Sequence, residues 1–196
     1  MNHWKPVPLE QASRLLNHGP TVLVTSASGG RRNIMAAAWS MPVEFVPPRV
    51  SVVIDKKTFT KELVASGGVF GLCIPGAVLI DLTYAVGSVS GREVDKFRRY
   101  GIEARPGPVL GVPVLEAGCS AWMECRLIPE AHTEDAYDTC FAEVLSAAAD
   151  SRIFQGGHWE WREDNRDLHT IHHLGAGLFV RAAEPIRARA LPGNSA

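Results

Sequence analysis

The chain has 196 residues, 46% of them hydrophobic and 21% charged, which fits one globular domain with a sizeable core. Its 20 basic and 21 acidic residues leave a formal net charge of -1, and no run of Lys or Arg exceeds two, so nothing in the charge recruits nucleic acid or an anionic membrane. The start "MNHWKPVPLEQ" has no signal-peptide core, and the expectation is a soluble cytoplasmic protein.

In chain order, "PLEQASRLLNHG" places Leu9, Ala12, Leu15 and Leu16 on one helical face before the stop signal Gly19. Three strand-like runs follow: "TVLVTSA", "NIMAAAWSM" and "RVSVVID". "SGGRR" joins the first two as a hairpin-type connection, and the prolines of "FVPP" belong at a strand edge or in a loop. "TFTKELVASGG" reads as a short helix with hydroxyl caps at its start and glycines at its end. Then come the strand "VFGLCIP", the short helix "AVLIDLTYAVG", and "SVSGREVDKFRRYGI", a polar loop running into a charged helix. Leu63 to Ile80 carries no charge, but its four glycines and Pro75 make it a helix end, a strand and a turn rather than a membrane span. "SAWMECRLI", "DTCFAEVLSAA" and "LHTIHHLGAGLFV" are further strand candidates, and the tail "LPGNSA" reads as disordered. Three strands so early, two of them in a hairpin, favour an antiparallel barrel or sandwich with helices over its ends. The whole of 1–196 reads as a single domain with its core over about 8–185. Cys73, Cys119, Cys125 and Cys140 form no C-x-x-C pair and read as buried free thiols.

Three stretches could carry chemistry. "DKKTFT" puts two ammonium groups, two hydroxyls and a helix start at one strand-to-helix turn, the parts a phosphate needs. A capped helix with two solvated lysines has the same sequence. In "NIMAAAWSM", Ala36, Ala37 and Ala38 leave a strand segment almost bare, so a flat heterocycle could lie against its backbone with Trp39 as an aromatic wall. Tight helix packing also calls for small residues there. "SGREVDKF" gathers Ser90, Arg92, Asp95 and Lys96, which also suits a helix N-terminus with an Arg–Asp pair on its first turn.

Together, "TVLVTSASGGRRNIMAAAWSMPVEFVPP", "VVIDKKTFTKELVASGGVFGLCIP" and "VGSVSGREVDKF" resemble the flavin reductase-like proteins, especially the flavoredoxin branch. The resemblance resumes at "DTCFAEV" and "IHHLGAGLF" and so covers most of the chain. It implies a mainly β, antiparallel Greek-key split barrel with short peripheral helices that binds FMN and forms a homodimer. The segment matching Asn33, Met35, Ala36, Ala37, Trp39 and Ser40 would lie along the isoalloxazine ring. The one matching Lys57, Thr58 and Thr60 would hold the phosphate. The one matching Ser90, Gly91, Arg92, Asp95 and Lys96 would close over the cofactor, from the same or the partner subunit. Arg92 and Lys96 are the cations available to tune the ring.

The resemblance also contains a departure. Where many nicotinamide-using relatives carry Gly-Asp-His, this chain has Tyr137-Asp138-Thr139, which predicts slow reduction by NADH and NADPH. Histidines offer a rival reading: His158, His169, His172 and His173 could suggest a metal site, but neighbours on a strand point to opposite faces, so no metal is expected. His169 and His172 read instead as surface residues, and His173 as lining the substrate side of the flavin. The expected function is an FMN flavoprotein oxidoreductase passing electrons or hydride between small-molecule or protein partners, with no catalytic nucleophile. The alternatives are a flavin-binding or storage protein without turnover and, least favoured, a His-ligated metal-dependent hydrolase.

Overall fold

The computed structural model describes residues 19–188. The helix expected over 8–19, apart from Gly19, and the tail "LPGNSA" lie outside the described residues. Strand β1 (Val22–Ser28) turns into β2 (Arg31–Ala37) through Gly29 and Gly30, both at positive φ. Two left-handed residues in a row suit a two-residue hairpin turn, and glycine adopts them without steric cost. β3 (Ser40–Phe45) and β4 (Pro48–Val53) form the next hairpin, with Phe45 paired to Pro48 at its tip.

The expected single strand over 33–41 is two strands. In the seven-stranded sheet the order is β2-β1-β5-β8-β9-β4-β3, so β2 and β3, adjacent in sequence, are its two edges. Ala38 and Trp39 form the corner between them: β2 pairs with β1, β3 pairs with β4, and Trp39 O accepts from Val53 N at 3.0 Å. Sequence periodicity could not show this, because apolar character continues across the corner while the hydrogen-bond partners change. The corner closes the sheet into an antiparallel split barrel with short peripheral helices, as expected.

Helix α1 (Phe59–Gly67) is capped by Thr58, whose hydroxyl accepts from Lys61 N, and ends on left-handed Gly68. β5 (Val69–Pro75) leads through a 3-10 turn to α2 (Ile80–Ser88). The expected charged helix is short: α3 spans Lys96–Arg99 and stops before Gly101 at positive φ. Two-residue ladders β6 (Arg105–Pro106) and β7 (Pro113–Val114) precede the long β8 (Cys119–Ile128). Helix α4 (Ala131–Tyr137), which the sequence reading missed, leads into β9 (Thr139–Ala149). β10 (Phe154–Gln155) and β11 (His158–Trp159) form a small ribbon. The last strand candidate is in fact a hairpin, β12 (Ile171–Gly175) and β13 (Leu178–Arg181), turning at Ala176 and Gly177.

Strand alternation sorts side chains into two cores. Val22, Val24, Val52, Phe70, Leu72 and Cys140 meet inside the barrel, joining β1 to β4 across the interior. Leu23, Ile34, Val86, Phe97 and Trp122 form the outer core under α2 and α3. All four cysteines are buried free thiols, as expected, and burial pushes those of Cys73 and Cys125 up to about 12. The uncharged run 63–80 is the body of α1, then β5 and a turn; among the described residues no helix is long and apolar enough to cross a membrane.

Candidate functional site

Three clefts follow one another along β2 and round the Ala38–Trp39 corner, sharing walls. The first, about 230 Å³, has Asn33, Met35 and Ala36 on one side, Lys57, Thr58 and Thr60 at the head of α1, and Ser90, Gly91, Arg92 and Lys96 opposite. The second, about 180 Å³, shares Ala36 and Gly87 with it and adds Ala37, Ala38, Tyr84 and His173. The third, about 490 Å³, shares Ala38 with the second and adds Trp39, Ser40 and Thr139. Fourteen sequence positions were expected around a cofactor, and the row brings together all of them except Asp95. Asp95 lines a larger neighbouring cleft of about 860 Å³, where its carboxylate caps α3 by accepting from Arg98 N at 3.1 Å.

The three segments are stitched to one another. Asn33 Nδ2 donates to Thr60 Oγ1 at 2.9 Å, and both residues are buried. Gly91 presses on the same carboxamide, since a Cβ there would lie 2.2 Å from Asn33 Oδ1. Arg92 donates to Lys57 O at 2.7 Å, tying the loop after α2 to the head of α1. Ser90 shapes that loop by accepting from Arg92 N at 3.2 Å.

The head of α1 is built to receive negative charge. Lys57 N donates to Asp55 Oδ1 at 2.7 Å, and Thr58 Oγ1 donates to Asp55 O at 2.7 Å, so Asp55 fixes the turn. Lys61 N is taken by the Thr58 hydroxyl and Glu62 N by Thr58 O. The N–H groups of Phe59 and Thr60 precede any intrahelical acceptor and carry the positive end of the dipole. The Thr58 hydroxyl itself is thus committed to capping. Lys56 turns away, its ammonium on Asp135 O and 3.7 Å from Asp138.

Lys96 differs from its expected role as a free cation. It is 3% exposed and donates to Ile34 O at 2.8 Å and Val86 O at 2.7 Å. Ile34 belongs to the edge strand β2 and Val86 to the last turn of α2, places where outward strand carbonyls and terminal helix carbonyls need a donor from outside the element. The ammonium bolts together the two walls of the first cleft, and burial lowers its pKa to about 8.

Sequence reasoning passed over Gly87 and Tyr84. A Cβ at Gly87 would sit 3.3 Å from Ala36 Cβ, so Gly87 and the alanines let α2 approach β2 closely. A glycine inside a helical run was the available signal. The Thr83 hydroxyl, fully buried beside the second cleft, has no hydrogen-bond partner among the described residues.

His173 lines the second cleft with its ring against Phe179, 4.9 Å between centroids. His169 is not a surface residue: it is 6% exposed and its ring nitrogens contact Ala182 O, Arg162 O and Asn165 Oδ1, each at 3.0 Å. His172 is half-buried beside Thr170. The return of the hairpin brings Ala182 beside His169, and the 3-10 turn over Glu163–Leu168 supplies Arg162 and Asn165 on its other side. Among the described residues no group of three or more His, Cys, Asp or Glu could hold a metal ion.

An antiparallel split barrel with an alanine-lined corner cleft beside a capped helix N-terminus defines a class, and comparison with known proteins identifies it. The chain belongs to the flavin reductase like domain family, which it matches over residues 14–161. It is 56% identical over 190 residues to protein YddH of Escherichia coli (strain K12), covering 96% of this chain and 100% of that one. Among solved structures it is similar to an FMN-binding domain of a flavin reductases-like enzyme from Shewanella baltica, with a TM-score of 0.82 and 40% identity over 93% of this chain and 96% of that one. An FMN-binding protein from Thermus thermophilus, crystallised with 1-cyclohex-2-enone, is also similar, with a TM-score of 0.78 and 26% identity over 96% of this chain and 100% of that one.

Proposed function

We propose that this chain is an FMN-binding flavoprotein oxidoreductase of the flavoredoxin or flavin reductase type, passing electrons or hydride between a donor and an acceptor. The observation that carries the reading is the continuity of the row: the helix N-terminus with Lys57 lines the first cleft together with Ala36, and Ala36 continues into the second cleft with Ala37 and Ala38. A phosphate suits the first element and a flat ring the second. The FMN-binding proteins to which the chain is similar support the choice of ligand.

Bound FMN would supply the ring that takes up and returns electrons. The chain's own residues would bind and orient it. Lys57 and the N–H groups of Phe59 and Thr60 would hold the phosphate. Asn33 and Gly91 would fix the loop from Ser90 to Lys96 against it. Ala36 and Ala37 would admit the ring, with Trp39 and Ser40 at its far end and His173 on the open side. Thr83 holds a buried hydroxyl that a polar ligand atom or an ordered water would satisfy.

The working form is proposed to be a homodimer. Met41, Val43, Phe45 and Val46 stand exposed on and beside the edge strand β3, 62%, 45%, 91% and 86% respectively, next to the third cleft. A second copy would cover this apolar edge. Light scattering at about one chain mass, together with tight FMN binding, would reject the dimer.

The test of the reading is a titration of the apoprotein with FMN and with riboflavin, followed by flavin fluorescence. A charge-assisted hydrogen bond contributes about 1.5–3 kcal/mol, so loss of the phosphate should weaken binding at least tenfold. Equal affinities would sink the phosphate site.

A further inference from the structure

Beyond the Phe59–Arg92 lip, the phosphate cleft opens into the 860 Å³ cleft, and the two share Phe59, Gly91 and Arg92. That larger cleft adjoins the head of α1 and offers room for the part of a longer ligand that extends past a monophosphate. There it meets Glu62, one turn into α1. Arg31 Nη2 donates to Glu62 Oε1 at 2.7 Å, and Arg92 Nη2 donates to Glu62 Oε2 at 3.3 Å. The guanidinium of Arg31 also lies 4.8 Å from the Phe59 ring centre, which fixes its place on the lip.

We infer that Glu62, held between Arg31 and Arg92, makes this site select a flavin monophosphate over a flavin adenine dinucleotide. The inference rests on the FMN reading above and concerns what lies past its phosphate. The cations that would attract a second phosphate are already engaged. Arg31 and Arg92 hold Glu62, Arg92 also donates to Lys57 O, and Arg32 lies over the Phe97 ring at 4.2 Å. Glu62, Glu93 and Asp95 line the same cleft as Arg31, Arg32 and Arg92, so its formal charges balance and no net positive charge remains for a second phosphate. Hydrogen bonding from Arg31 holds the Glu62 carboxyl below the usual carboxylate range, which keeps it ionised. Placing a like charge against the competing ligand is one means by which a site discriminates between ligands sharing one half.

The experiment titrates apoprotein with riboflavin, FMN and flavin adenine dinucleotide at one ionic strength, for the wild type, Glu62→Gln, and Glu62→Gln combined with Arg31→Gln. The wild type should bind FMN at least about tenfold more tightly than the dinucleotide. Glu62→Gln removes the negative charge between the two guanidiniums and should narrow that ratio about tenfold, and the added Arg31→Gln should restore it. Glu62 is surface-exposed, so the variants should fold, and their melting temperatures check this. A wild type that binds FMN no better than riboflavin overturns the phosphate site itself, and this inference with it. A wild type that prefers FMN to riboflavin but binds the dinucleotide equally well, or keeps its ratio in Glu62→Gln, overturns the role of Glu62 alone.

Discussion

Asn33 Nδ2 donates to the Thr60 hydroxyl across 2.9 Å, while Gly91 rests on the far side of the same carboxamide. One buried side chain therefore sets the spacing of all three segments that line the first cleft. Gly91→Ala would place a methyl 2.2 Å from Asn33 Oδ1, well inside contact distance, so the loop or the carboxamide must move. The expected result is at least a tenfold loss of FMN affinity, with faster amide exchange over residues 90–94. Asn33→Ala leaves the Thr60 hydroxyl buried without its donor and should cost the apoprotein about 1–3 kcal/mol in urea unfolding. Unchanged affinity in the first variant would show that the loop does not touch the ligand.

Lys96 gives a pH dependence with a definite sign. Its ordinary pKa of 10.5 falls to about 8 in the folded chain because burial penalises the ammonium. Below pH 8 folded and unfolded chains both hold the proton, and this group adds no slope. Between about 8 and 10.5 the unfolded chain holds it and the folded chain releases it, so stability rises with pH through that window. The rise is at most about 3 kcal/mol. Lys96→Met removes it and leaves Ile34 O and Val86 O unpaired, so that variant should be less stable than the wild type at pH 7 and fall further behind towards pH 10. Urea midpoints of the two proteins across this range are the measurement, and a constant difference would refute the assignment.

How far the sequence reading reached depends on the range of each interaction. The hairpin at Gly29–Gly30, the cap at Thr58 and the stop at Gly68 were legible because local backbone chemistry decides them. The corner at Ala38–Trp39 was not, since it depends on which distant strands flank it. The candidate site was found as three separate stretches with a family resemblance. The bond from Asn33 to Thr60 spans 27 residues and has no local signature. Lys96 shows the same limit: a cation in a polar loop reads as ligand-facing until its two backbone acceptors are located.

Trp39 is 54% exposed and ends the row of clefts. The corner is held by its backbone, through the bond from Val53 N to Trp39 O, so Trp39→Phe should keep the fold. It should change the fluorescence or the potential of bound FMN, because a smaller ring with no N–H then borders the cleft. If spectrum, potential and affinity all stay as in the wild type, Trp39 has no contact with the flavin.

The final prediction concerns the electron donor. Thr139, which the resemblance sets against a His, lines the third cleft with Trp39 and Ser40. Its hydroxyl donates to Tyr137 O at 3.1 Å and is shorter than an imidazole, so it offers little to a carboxamide or phosphate above the ring. Tyr137, which the resemblance sets against a Gly, stands 64% exposed at the end of α4, edge-on to His132 at 5.7 Å between ring centres. Asp138, the retained member of the triplet, is left-handed at φ 55 and accepts from Lys56 N at 3.1 Å, which anchors the turn to the head of α1. Hydride transfer needs the nicotinamide stacked at van der Waals distance with a polar group holding it in place. Reduction of the FMN form by NADH and NADPH should therefore be slow beside reduction by a small protein or chemical donor. Thr139→His, which restores the missing donor without altering the turn, should speed the nucleotide reaction about tenfold or more. Anaerobic stopped-flow bleaching reads both. Fast, saturable reduction of the wild type at micromolar nucleotide would overturn the prediction and make this chain an ordinary nicotinamide-dependent flavin reductase.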